Sequence, residues 1–184
     1  MRRHEFDHVI AAAAEISSER EIVVIGSQAI LGSVADPPAE MLFSMEADLY
    51  PRNDPRKAEV IEGSLGEGSL FQSTYGYYAQ AVGPETVVGP AGWEERLVGV
   101  EIPPRVGQSE GAIALCLEVH DLVLAKCAAG RERDWEFAGH ALAAGLVRRK
   151  ELFRLVQDLP EPPVDRAHVR GMLEGIVIQV DRGR

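Results

Sequence analysis

Four consecutive apolar residues, Ile22-Val23-Val24-Ile25, run straight into Gly26-Ser27. A short apolar run that ends at a turn signal reads as a buried strand, so this stretch commits the chain to a fold built on a sheet. Gln28-Ala29-Ile30-Leu31 then reads as one or two helical turns closed by Gly32. Gly26 has no side chain and lets the backbone come close to a ligand. Ser27 is expected at the N-cap of the short helix. Its hydroxyl and the open N–H groups of that helix end would make a phosphate-sized anion site. A plain helix cap accounts for Ser27 equally well.

A loop holding Pro37 and Pro38 leads to Ser44-Met45-Glu46-Ala47-Asp48-Leu49-Tyr50-Pro51. On a strand, Glu46 and Asp48 share one face, with Cα atoms about 6.6 Å apart. Two carboxylates converging at a sheet edge repel unless a cation lies between them. Where phosphates are also bound, that cation is usually Mg²⁺.

A Gly-Ser turn after a first strand, followed by an acidic-x-acidic pair on a second, resembles the nucleotidyltransferase superfamily typified by DNA polymerase beta. Within it the chain is most similar to the minimal nucleotidyltransferases and the AbiEii-type toxins. It is especially similar to a bacterial, DUF6036-like group that carries a GSQAILG turn and an S-x-E-A-D-L-Y strand. A second matching stretch, Asp121-Leu122-x-x-x-Lys126 followed by Arg131-x-Arg133-Asp134, extends the resemblance over most of the chain.

The resemblance implies roles for named residues. Glu46 and Asp48 would be catalytic metal ligands for Mg²⁺ (or Mn²⁺). Glu101 would be the third carboxylate, as general base or as ligand of one metal. Gly26 and Ser27 would hold nucleotide phosphates. Lys126 would touch the triphosphate with help from Arg131 or Arg133, and Asp134 would orient one of these cations. Two departures from the family pattern stand out. The first acid is Glu46 and not Asp, and eighteen residues separate it from Ser27, more than is usual. Simpler readings also hold. Glu101 fits a solvent-facing position on an alternating strand, and Arg131 with Asp134 fits a surface ion pair at i, i+3 spacing.

The implied activity is transfer of a nucleotidyl group from an NTP to a hydroxyl of a protein or RNA acceptor. In similar proteins the setting is often a toxin–antitoxin or phage-defence pair, which implies an antitoxin-like protein partner. The alternative is a fold kept as a nucleotide-binding or protein-interaction module without transfer.

Composition narrows the partners. A formal net charge of -10 argues against broad electrostatic binding of nucleic acid, which needs a basic face. Cys116 and Cys127 lie in apolar stretches and lack zinc-site spacing, so both read as buried thiols. The first apolar segment, residues 6–16, contains Asp7, His8 and Glu15. It is neither a signal peptide nor a membrane span, and a cytoplasmic location without membrane contact is expected.

The expected architecture is α+β. Residues 1–117 should form a small mixed sheet flanked by helices, and residues 118–184 a helical subdomain. Helices are expected at 4–17, from Pro55 to about 63, over 118–129, from 131 onward and over 165–180. Strands are expected at 77–82, 95–102 and 112–117. The last helix should bury Val169, Met172, Leu173, Ile176, Val177 and Val180. Tyr75, Tyr77 and Tyr78 fit either strand packing or stacking on a base.

Overall fold

Ile22, Val23 and Val24 are all buried, so the strand they form is covered on both faces. The computed structural model describes residues 1–104 and 110–183. It is an α+β fold whose chain divides into two compact units. One comprises Met1–Thr86 and Leu97–Leu117, the other Val87–Arg96 and Glu118–Arg184.

The first unit holds a five-stranded mixed sheet. Its strands are β1 (Glu21–Val24), β2 (Glu46–Pro51), β3 (Tyr78–Ala81), β4 (Val98–Ile102) and β5 (Ala112–Cys116), in the order β3-β2-β1-β5-β4. β1 is central. It runs antiparallel to β2 and parallel to β5; β2 and β3 are parallel, and β4 and β5 antiparallel. Helix α1 (Arg3–Ser17) buries Phe6, Val9, Ile10 and Ala13, the stripe that its i, i+3, i+4 spacing dictates. It ends at Ser18, which takes a left-handed φ of 54° and donates its N–H back into the last turn.

α2 (Ile30–Ser33) packs on β5 through Gly32, where a Cβ would fall 2.3 Å from the Cβ of Cys116. Gly32, expected to close the short helix, lies inside it, with Val34 as the C-cap, and is needed for close packing. α3 (Ala58–Leu65) follows Pro55 and buries Ile61 and Leu65. Leu70–Tyr75 is a helix, α4; Ser69 caps it by accepting from the Gln72 N–H, and Gly76 ends it at φ 82°. Tyr75 and Tyr77 pack with Phe71 around the His8 ring, and the Tyr77 hydroxyl is 2.6 Å from His8 Nδ1.

The second unit is helical: α5 (Val119–Ala129), α6 (Glu132–Ala143), α7 (Arg149–Leu155) and α8 (Arg166–Arg182). Glu118 caps α5 by accepting from the His120 N–H, and Gly130 ends it at φ 70°. Asp165 caps α8. The strand expected from residue 95 starts only at Val98. Trp93–Arg96 is instead a 3₁₀ turn set up by Gly92 at φ 76°. Arg96 belongs to this helical unit because its guanidinium makes a two-pronged pair with Asp121 on α5, at 2.8 Å on each side. Asp121 is fully buried, and Arg96 also donates to the carbonyls of Pro90 and Ala91. The last helix buries only Val169 and Leu173 of the six positions expected, and Met172 is 37% exposed. α8 packs mainly along α6, so its buried stripe is narrower than that of a helix covered on several sides.

Candidate active site

The turn after β1 and the acidic strand meet at one end of the sheet because of the β1–β2 register. Val24 pairs with Leu49, and the Ile25 N–H continues the ladder to the Asp48 carbonyl at 2.9 Å. This sets Gly26-Ser27 beside Asp48. The approach is close: a Cβ on Gly26 would lie 1.5 Å from Asp48 Oδ2. Asp48 thus packs its carboxylate into the space that the missing side chain leaves.

Gly26, and not Ser27, is the N-cap, and no side chain caps the turn. Ser27 is the first residue of a 3₁₀ turn, Ser27–Ala29, which passes into the four-residue α2. Tight turning at Gly26 moves the helical start one residue back, so Ser27 keeps its hydroxyl for other partners. Gln28 is fully buried and donates to the Ser44 carbonyl at 3.0 Å. Ser44 in turn accepts the Glu46 N–H at 3.2 Å. These two residues tie the glycine turn to the start of β2. A glutamine inside an apolar helical stretch was the available sequence signal for that role.

Strand β3 flanks the acidic pair. Glu46 pairs with Tyr78 and Asp48 with Gln80, so these side chains share the face of the two carboxylates. The Tyr78 hydroxyl donates to Glu46 Oε2 at 2.9 Å. Burial, helped by the neighbouring Glu46 carboxylate, pushes the Tyr78 hydroxyl up to about 12, so it stays protonated and remains a donor.

Glu101 is not brought to the pair. It pairs with Ile113, which pairs with Glu21 at the start of β1, whereas Asp48 lies beside Ile25 at its end. With β1 and β5 in between, the separation is roughly 14 Å across the sheet and about 13 Å along it. No single ion spans that. Glu101 is exposed, as the alternating-strand reading has it.

The remaining sequence candidates lie in the helical unit. Lys126 on α5 donates to Asp134 Oδ1 on α6 at 3.3 Å, and its ammonium is 4.8 Å from the centre of the Phe137 ring. Asp134 is buried, and Arg131 Nε lies 3.7 Å from its other oxygen. Arg131 and Arg133 are exposed. One buried carboxylate thus holds one half-buried lysine and one exposed arginine.

A family model described as a nucleotidyltransferase of unknown function (DUF6036) matches residues 4–158. The chain belongs to this family. No curated protein and no solved structure matches it. The matched span of this DUF6036 chain takes in the whole sheet, Gly26, Ser27, the acidic pair and the Lys126 cluster, and stops before α8.

The residues of this DUF6036 protein suit Mg²⁺ only in part. Among the described residues no group of three or more His, Cys, Asp or Glu side chains is arranged to hold a metal ion. Glu46 and Asp48 provide two carboxylates, and Gly26 clears the space that Asp48 fills. Mg²⁺ is commonly held by one or two carboxylates together with substrate phosphates, and that donor set fits. Both cysteines are buried, and burial pushes the thiols of Cys116 and Cys127 up to about 12, so neither is a ready ligand or nucleophile.

Proposed function

We propose that the protein transfers a nucleotidyl group from an NTP to a hydroxyl of a protein or RNA acceptor, with Mg²⁺ or Mn²⁺. The observation that carries this reading is the packing of Asp48 against Gly26 at the end of β1, one position along the face from Glu46. Membership of a nucleotidyltransferase family supports the reaction class.

Glu46 and Asp48 would be the metal ligands, and Gly26 and Ser27 the contacts to the phosphates. The bound cation would neutralise charge on the phosphates. The acceptor oxygen would bond to the α-phosphorus as the bond to pyrophosphate breaks, with the hydroxyl proton passing to water. Such chemistry asks the protein chiefly for positioning and charge neutralisation. In the helical unit, Lys126, Arg131 and Arg133 are the cations we assign to phosphate, with Asp134 orienting Lys126 and Arg131. A toxin–antitoxin or phage-defence setting, with an antitoxin-like partner, is the context we propose from the resemblance.

A second reading is favoured by one observation: Glu101, the candidate third acid, lies far from the pair. A site of two carboxylates can bind a metal–nucleotide complex without transferring anything, as a nucleotide-binding or interaction module would. Incubation with each labelled NTP, Mg²⁺ or Mn²⁺ and cell extract separates the two. Label transfer that disappears in the Glu46→Gln/Asp48→Asn double variant is the expected result. Metal-dependent binding without transfer selects the module, and binding that is unchanged in the double variant refutes the metal site.

A further inference from the structure

We propose that His120 is a pH-sensitive latch on α7: uncharged, its ring accepts the Arg148 N–H and holds the start of α7 to α5, and a proton taken up by the ring releases it. The latch lies within the helical unit and is independent of the transfer reading.

His120 is buried in the first turn of α5, where the Glu118 carboxylate engages it twice. One oxygen accepts the His120 backbone N–H at 2.8 Å, and the other faces ring Nδ1 at 2.7 Å. An ionised carboxylate only accepts, so Nδ1 carries the proton. Nε2 then accepts the Arg148 N–H at 2.9 Å. In a charged imidazole both ring nitrogens are donors. A proton on Nε2 therefore sets one N–H against another, and the Arg148 amide loses its acceptor. Histidine is the side chain whose ordinary titration falls between about pH 5 and 8.

The groups around the ring set the direction of the change. Glu118 attracts a positive charge on it at close range. Glu151 on α7, whose main partner is Arg154, also lies within electrostatic reach. Asp121, the next residue of α5, is committed to Arg96 from the 87–96 stretch. Arg148 meets the ring through its backbone, and among the described residues α6 brings it no hydrogen bond or ion pair. Arg148 is the N-cap of α7, and no side chain caps that helix. Further along, Leu152 and Leu155 are buried, and the 3₁₀ turn Val156–Asp158 offers its last carbonyl to the Ala91 N–H at 2.8 Å. These contacts hold the rest of α7, so protonation frees its first turn alone.

Hydrogen exchange of the full chain, followed by NMR between about pH 7.5 and about pH 5.5, tests this. The Arg148 amide should lose at least about tenfold in protection factor on acidification, while the β1 amides keep theirs. His120→Gln cannot titrate, and its Arg148 protection should stay within about twofold over the same range. Should that variant fail to fold, which circular dichroism reports, Glu118→Gln takes its place. It removes the anion that favours the charged ring, so the loss at Arg148 should move to lower pH. Wild-type protein with equal Arg148 protection at both ends of the range overturns the inference. So does a loss that persists undiminished in His120→Gln, or one that falls at the wild-type pH in Glu118→Gln. Loss of β1 protection together with Arg148 marks global acid unfolding and overturns it as well.

Discussion

At the scale of single residues, the site turns on a hydrogen atom. Gly26 has one where any other residue carries Cβ, and the Asp48 carboxylate occupies that place. Gly26→Ala forces Asp48 aside, because 1.5 Å is far inside any non-bonded contact. The backbone at Gly26 is extended, with φ -77° and ψ -163°, so alanine imposes no backbone strain. The damage should therefore be local. Gly26→Ala is expected to lose metal-dependent nucleotide binding by about tenfold or more while keeping the wild-type circular dichroism spectrum. Retention of full binding would show that Asp48 is not a ligand. His120 is a second such position. Its Nε2 accepts the Arg148 N–H at 2.9 Å, so the proton sits on Nδ1, which faces Glu118 at 2.7 Å. Burial alone would raise the Glu118 carboxyl, but the hydrogen bonds from the His120 ring and backbone outweigh it and hold the group below its usual value.

Between elements, the decisive contact is the one that anchors residues 87–96 to α5. Asp121 has no exposed surface and depends on Arg96 for its charge. The carboxylate also raises the Arg96 guanidinium above its ordinary value, which keeps the arginine charged. Removing one partner of a buried pair leaves an uncompensated charge, at a cost of about 3 kcal/mol or more. Arg96→Met should lower the urea midpoint accordingly, and Arg96→Met/Asp121→Leu should recover part of the loss, since no charge is then left unpaired. Equal loss in the single and double variants would mean that the pair contributes through packing alone. The same contact gives Asp121, first residue of the Asp-Leu-x-x-x-Lys stretch, a structural task. Lys126, five positions on, faces Asp134 instead.

For the molecule as a whole, the charge balance limits the acceptor. A formal net charge of -10 repels a long polyanion, and some of the basic groups that could offset it are paired with carboxylates: Arg149 with Asp181, Arg154 with Glu151, Lys57 with Glu19. Binding to a tRNA-sized RNA at about 0.15 M salt should be weaker than about 100 µM, the weak end of ordinary non-specific binding. A Kd below about 1 µM under those conditions would instead demand a concentrated basic surface. No helix among the described residues is long and apolar enough to cross a membrane, as the charged residues of the first apolar segment lead one to expect.

The sequence by itself determined what depends on near neighbours. The buried run of β1, the stripe of α1, the glycine turn and the shared face of Glu46 and Asp48 all follow from side-chain periodicity and sterics over a few residues. The family resemblance was legible for the same reason, since its motifs are local strings. Only the tertiary structure decided which distant residues stand beside them. Nothing within a strand records its place in the order β3-β2-β1-β5-β4 or its pairing register, because both come from contacts between segments far apart in the chain. That is why Glu101 looked like the third acid while Tyr78 and Gln80 hold the neighbouring strand. It is also why Arg96 read as part of a strand until Asp121, twenty-five positions away, gave it a partner. α8 shows the same limit: its apolar residues are plain in the sequence, and how many are buried depends on how many elements reach it.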